Sequence, residues 1–298
     1  MSRTCIAILG PTAVGKTAVA MELAQHYATS IISADSRQCY KELNIGVAKP
    51  TPTELETVEH FFINSHSVTE EISAASFERE ALLYAEKVFS KKDTVILTGG
   101  TGLYVKAFLE GMDEIPAVNT DLRNRIIEGY KTHGLHWLQE LLIKEDPLFA
   151  HKGDMRNPQR CMRALEVVRT TGRSILSEHT GTKKQRPFKT LKIGLELPRE
   201  MLYERINKRV DNMIDDGLIE EARSLYPFRH LNALQTVGYR ELFEYFEQRI
   251  TLTGAVELIK QNTRHYAKRQ LTWFKKDAEI KWFRPDSQQI LNYLNEAI

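Results

Sequence analysis

Eight residues near the start of the chain restrict its fold more than any other feature. Gly10-Pro11-Thr12-Ala13-Val14-Gly15-Lys16-Thr17 matches the pattern GxxxxGK[ST] in full. A short apolar run at residues 5–9 precedes it and helical patterning over 18–27 follows, the strand–loop–helix setting that such a loop needs. Glycines let successive backbone N–H groups converge on an anion, and the helix behind them presents its positive N-terminal end. Lys16 adds a full charge, and the Thr17 hydroxyl can ligate Mg²⁺. The segment therefore predicts an α/β chain that binds a diphosphate or triphosphate at residues 10–17.

The rest of the chain agrees with that class. Short β-type runs at 5–9, 30–33, 61–63, 94–98, 191–197 and 280–283 are separated by helical patterning, at 18–27, 77–89 and 104–109 in the first part. Strands alternating with helices predict a P-loop NTPase-like parallel sheet with helices on both faces. From about residue 113 to Thr180 the pattern is helical alone, over 120–132, 135–143 and 156–170. Asn119-Thr120-Asp121 and Gly172 supply the start and stop signals. The expected organisation is an α/β core over 1–112, an all-helical insert over 113–190, and the rest of the core with C-terminal helices over 191–298.

Composition excludes several classes. Of 298 residues, 42% are hydrophobic and 27% charged, enough for a packed core and too many apolar residues for a disordered chain. No apolar run approaches the ~20 residues that cross a bilayer. The opening Met1-Ser2-Arg3-Thr4-Cys5 leads straight to the glycine loop, without the apolar segment of a secretory signal. Cys5, Cys39 and Cys161 are odd in number and far apart, which argues against a disulfide framework or a paired-cysteine metal site and for a cytoplasmic protein. A net charge of +2 means that a polyanion would have to be held by local basic patches.

The loop alone leaves the reaction open. No Asn-Lys-x-Asp guanine signature occurs, and Val95-Ile96-Leu97 runs into Thr98-Gly99-Gly100 where a typical ATPase strand would end in Asp. The second strand ends instead in Asp35-Ser36-Arg37-Gln38. Ligands of a doubly wound sheet sit at the carboxyl ends of its strands, so Asp35 is expected near the phosphate loop. A carboxylate there can reach Mg²⁺ through water, act as a general base, or simply cap a helix.

Several further segments share one resemblance. Residues 35–40 (Asp-Ser-Arg-Gln-Cys-Tyr), 46–50 (Gly-Val-Ala-Lys-Pro) and 99–104 (Gly-Gly-Thr-Gly-Leu-Tyr) resemble the tRNA dimethylallyltransferase (tRNA isopentenyltransferase) family. So do 160–167, 237–241 and 263–274, and the likeness runs from the first strand to about residue 284. Two positions depart from the family pattern: Val47 stands where a threonine is usual, and His60-Phe61 replaces a pair of histidines.

The resemblance implies transfer of a dimethylallyl group from its diphosphate to N6 of an adenine beside the tRNA anticodon (position 37), with Mg²⁺ as cofactor and diphosphate as leaving group. The loop would then hold a prenyl diphosphate and no nucleotide. By the same resemblance the catalytic residues are Lys16, Asp35 as the base, Thr101 beside the reacting groups, and Arg209, with Arg205 as its rival. The implied tRNA contacts are Asp35, Ser36, Arg37, Gln38, Thr101, Arg123, Gln159, Arg160, Cys161, Met162 and Arg163, with Arg264, Lys268 and Arg269 in the C-terminal part. Thr17 is the implied metal ligand, the insert the implied clasp on the anticodon stem-loop, and the protein is expected to work as a monomer away from membranes.

Two acid-free basic runs support the RNA side independently. One is Lys183, Lys184, Arg186, Lys189 and Lys192. The other is Lys260, Arg264, Lys268, Arg269, Lys275 and Lys276, interleaved with His265, Tyr266, Trp273 and Phe274. Cations hold phosphates while aromatic rings stack on unpaired bases. The rival readings are a P-loop small-molecule kinase, a prenyltransferase acting on free adenine nucleotides, and an RNA-binding protein with a vestigial loop.

Overall fold

In the computed structural model the described residues are 3–113, 115, 119–178 and 181–297. Met1, Ser2, Thr180 and Ile298 of the sequence reading therefore lie outside them. In chain order the elements are β1 (Thr4–Leu9), α1 (Lys16–His26), β2 (Ile31–Ser33), α2 (Pro52–Thr57), β3 (His60–Phe61), α3 (Ala74–Phe89), β4 (Thr94–Gly99) and α4 (Gly102–Glu110). Next come α5 (Thr120–Glu145), α6 (Pro147–Lys152), α7 (Pro158–Thr171) and α8 (Ile175–Glu178). The chain ends with β5 (Lys189–Leu195), α9 (Arg199–Asp215), α10 (Leu218–Leu225), α11 (Tyr239–Phe246), α12 (Leu252–Phe274), β6 (Lys281–Phe283) and α13 (Ser287–Ala297).

The six strands form one parallel sheet in the order β3-β2-β4-β1-β5-β6. β1 lies in its middle, and all six of its residues are buried, as a strand covered on both faces demands. Ile6 and Ile8 pack with Val19 and Leu23 of α1, Ile193 of β5, Leu202 and Ile206 of α9, and Ile290 and Leu294 of α13. Connections from β1 and from β4 leave toward opposite edges, so the carboxyl ends of β1, β2 and β4 flank a topological switch point. That is where an open α/β sheet binds its ligand.

The chain divides into two compact units, one of Met1–Glu110 with Gln185–Ile298 and one of Gly111–Lys184. Residues 185–190, assigned to the insert from sequence, belong to the sheet unit, because Lys189 and Thr190 already pair with Thr4 and Cys5 of β1. In the smaller unit α5 breaks at Gly134, whose φ of 75° no L side chain adopts comfortably. The two helical patterns read on either side of residue 134 are thus two helices meeting at a kink. Asn119 caps the first, accepting from the Asp121 amide, and Gly172 ends α7 in the left-handed conformation. Ile126, Leu138, Leu142, Phe149 and Leu165 make up much of this unit's own core.

Candidate active site

The phosphate loop is built from the sheet outward. Gly10 follows β1 with φ 146°, and a Cβ there would lie 2.7 Å from the Leu195 carbonyl oxygen, so only glycine lets the loop leave the sheet between β1 and β5. Gln270, buried on α12, holds the loop from the other side. Its side-chain oxygen accepts from the Thr12 amide at 2.8 Å, and its amide donates to the Gly100 carbonyl at 2.9 Å. Lys16 curls back to donate to the Pro11 carbonyl at 2.8 Å. Burial depresses its ammonium to about pH 8, against the pull of Asp35 and together with Arg209.

α9 supplies two arginines to the loop. Arg209 donates to the Thr12 hydroxyl at 3.2 Å, and Arg205 to the Val14 carbonyl at 3.3 Å. Arg209 lines the cavity described below, whereas Arg205 packs against the Gly15 side of the loop. Both arginines support the loop, and Arg209 fronts the open space.

Asp35 sits at the turn after β2. One carboxylate oxygen accepts from the amides of Arg37 and Gln38 at 2.9 and 3.4 Å; the other makes no hydrogen bond among the described residues. Residues 36–39 form a turn and not a helix, so the first oxygen closes a turn where a helix cap was the alternative. Thr101 buttresses this turn, its hydroxyl accepting from the Ser36 amide at 3.1 Å and hydrogen-bonding Ser36 Oγ and Tyr266. Burial and Asp35 push the Tyr266 phenol up to about 12, so it stays protonated. Gln38 departs from the base-contact expectation: its amide donates to the Val47 and Ala48 carbonyls and its oxygen accepts from Ser33. It fastens the turn to the 46–48 segment.

Some of these residues line a cavity of about 350 Å³. Thr12, Asp35, Ser36, Arg37 and Arg209 supply polar walls. Val47, Val210, Met213, Leu218, Val237 and Ile259 supply apolar ones. An anion joined to a short hydrocarbon fits such a lining. The sequence does not single out the apolar wall, because Val210, Met213 and Ile259 carry the same helical spacing as ordinary core positions; the place of Val210 and Met213 one and four residues after Arg209 was the available signal. Val47, one of the two departures, stands in this wall. Phe61, the other, lies outside it and stacks on Tyr84 at 4.5 Å.

Among the described residues no cluster of three or more His, Cys, Asp or Glu side chains could hold a metal ion. Thr17, second residue of α1, offers one hydroxyl with no hydrogen-bond partner among the described residues. One neutral oxygen beside a phosphate site suits Mg²⁺, which keeps waters and takes further oxygens from its substrate.

The basic runs fare differently from one another. The Arg186 side chain is mostly covered, donating to Glu78 and to the Ala107 carbonyl at 2.8 and 2.7 Å. Lys192 is buried against Asp277 and Glu279, at 2.6 and 2.7 Å. Acids distant in sequence pair with these two cations of the run, so both are structural. In the second run Lys260 pairs with Asp211, Lys275 with Glu196, Arg264 donates to Asn207 at 2.6 Å, and Phe274 is core. What remains is a stripe along α12, where His265, Lys268, Arg269 and Trp273 are exposed at helical spacing on one face, with exposed Lys276 just past the helix end.

The smaller unit sorts its candidates in the same way. Cys161 and Met162 are buried in its core, so their side chains are unavailable to an RNA. Glu166 holds both Arg123 and Arg163, at 3.2 and 3.0 Å. Gln159 and Arg160 are exposed on the first turn of α7, Arg160 reaching Asp154 at 3.3 Å.

Comparison with known proteins adds three results. The sequence profile described as IPP transferase matches residues 38–277. The chain is 47% identical over its whole length to tRNA dimethylallyltransferase 1 of Phocaeicola vulgatus, covering 99% of that protein. It also resembles two solved structures: the tRNA isopentenylpyrophosphate transferase of Bacillus halodurans (TM-score 0.73, 35% identity, 99% of this chain and 96% of that one) and a eukaryotic dimethylallyltransferase acting on tRNA (TM-score 0.80, 26% identity, 97% and 75%).

Proposed function

The chain belongs to the IPP transferase family of tRNA dimethylallyltransferases, and from that premise we propose how its cavity works. The enzyme is a prenyltransferase that moves a dimethylallyl group from dimethylallyl diphosphate to a tRNA. The acceptor is N6 of the adenine 3′ to the anticodon. The observation that carries this reading is the meeting of Thr12 of the phosphate loop, Asp35 and the apolar wall of α9 and α12 in one cavity.

The donor's diphosphate takes the loop amides, Lys16 and Arg209, and its five-carbon tail takes the apolar wall. The adenine N6 attacks C1 of the tail, the C1–O bond breaks, and diphosphate departs with the electron pair. Asp35 accepts the N6 proton, since an exocyclic amine is too weak a nucleophile to react without losing it. Lys16, Arg209 and the helix N-terminus oppose the charge that builds on the leaving group. Mg²⁺, held by Thr17 and the diphosphate, would add to that charge stabilisation. Thr101 and Gln38 keep Asp35 in register through the turn that both brace.

Reaching N6 requires the adenine to leave its stack. The exposed stripe of α12 (Lys268, Arg269, Trp273) and the Gln159–Arg160 turn supply phosphate contacts and a stacking surface, and the helical unit clasps the anticodon stem-loop. A kinase reading finds less support, because an apolar wall next to the phosphate loop suits a hydrocarbon better than a phosphate acceptor.

The test is direct. Labelled dimethylallyl diphosphate, Mg²⁺ and unmodified tRNA should yield labelled tRNA, and Asp35→Ala should lower the rate by about 10²–10⁴, the usual worth of a general base, with donor affinity little changed. Undiminished turnover in the variant would remove Asp35 from this role.

A further inference from the structure

Two segments outside the catalytic turn shape the cavity: residues 46–48, and 235–238 just before α11. Both converge on Glu221 of α10, which does not itself line the cavity. One Glu221 oxygen accepts from the amides of Asn44 and Ile45 at 3.2 and 2.8 Å. The other accepts from the Gly46 amide at 3.0 Å and from the Tyr239 hydroxyl at 2.6 Å. Three consecutive amides and a phenol on one carboxylate satisfy nearly all of its acceptor capacity.

Tyr239 completes the junction. It is fully buried as the first residue of α11, and its ring lies so close to Gly46 that a Cβ there would meet it at 2.6–2.8 Å. Burial and the neighbouring carboxylate keep its hydroxyl protonated, a permanent donor. Leu218, three residues before Glu221 on the same helix, reaches the apolar wall directly. One side chain thus ties together α10, the 44–48 turn and the start of α11, and all three contribute cavity lining.

We propose that Glu221 and Tyr239 are a positioning pair that fixes the width of the cavity's apolar part and thereby limits how long a prenyl tail the donor can carry. The inference rests on the reading of that wall as the tail site, and its test uses binding so that it stands apart from turnover. Neither residue touches the donor. Each acts through the 46–48 and 235–238 segments, which can separate only if the shared hydrogen bonds break.

The affinities of three probes are to be measured by calorimetry: inorganic diphosphate, dimethylallyl diphosphate and the ten-carbon geranyl diphosphate, each with Mg²⁺. Glu221→Gln and Tyr239→Phe are compared with the unaltered protein. The unaltered protein should prefer the five-carbon donor. Each variant should lose about tenfold of that preference, the worth of one charge-assisted hydrogen bond, with affinity for inorganic diphosphate unchanged. General damage to the fold would instead weaken all three probes together. Should Glu221→Gln fail to fold, Tyr239→Phe decides, because its ring still packs on Gly46 and only a hydroxyl is gone. An unaltered five- to ten-carbon ratio, no preference in the parent protein, or a parallel loss for inorganic diphosphate would overturn the proposal. Failure of tRNA labelling in the parent protein would count against the function and leave this binding comparison standing.

Discussion

Replacing Gln270 by leucine tests how the C-terminal helix controls the phosphate loop. Gln270 is 6% exposed, and its amide group bridges the Thr12 N–H and the Gly100 carbonyl. Leucine has nearly the same volume, so little cavity forms, but both backbone groups lose their partner in a buried place. Each orphaned group costs about 1–3 kcal/mol, which puts the loss of stability at about 2–6 kcal/mol. The control is Gln261→Leu, on the same helix but exposed, which should stay within about 0.5 kcal/mol. The assay is urea unfolding, reading the midpoint shift at constant slope. Transfer kinetics should show a lower kcat/KM as well, because Thr12 also meets Arg209 and a displaced loop carries its arginine with it. A loss below about 1 kcal/mol at position 270, or equal losses at 261 and 270, would refute the idea that this glutamine pins the loop.

Three further outcomes follow from charge. The Lys16 ammonium, lowered to about 8 by burial, is neutral above that pH in the empty site, while a bound diphosphate favours the charged form. Donor affinity should therefore hold steady below pH 8 and fall above it, by about tenfold at pH 9 (one proton per site), and Lys16→Met should flatten the curve; calorimetry across pH 7–9.5 reads both. Lys268→Ala on the exposed face of α12 should lower the salt dependence of tRNA binding by about one unit of slope. Lys192→Met, which strips a buried cation from Asp277 and Glu279, should cost about 2 kcal/mol of stability and leave that slope alone, as binding isotherms at several salt concentrations would show.

The sheet was legible in the sequence because its signals are local. Apolar runs, several of them ending in Gly, Ser or Asp, overlap all six strands, and the pattern 10–17 carried its own geometry in its glycines and its lysine. The kink at Gly134 was legible for the same reason, a break in spacing at a residue that tolerates positive φ. The basic runs were misleading where they were read by contiguity. Nothing near Lys192 in the sequence hints at Asp277, and nothing near Arg186 hints at Glu78, so a row of cations looked like a surface when part of it was buried pairing. Cys161 and Met162 misled in the opposite way, since a motif resemblance cannot tell the residues that face a ligand from those that pack the helix bearing them.

What the sequence determined alone was the fold class and the strand–loop–helix setting of residues 10–17, since both depend on backbone conformations that a few neighbouring residues impose. Asp35 belonged there too, by its place at a strand end. The apolar side of the cavity, the position of Arg209 on it and of Arg205 behind the loop, and the Gln270 and Glu221 contacts were visible only in the tertiary structure. Each joins residues scores of positions apart, and which side chains meet across that distance depends on how whole helices pack. Local spacing carries no record of it.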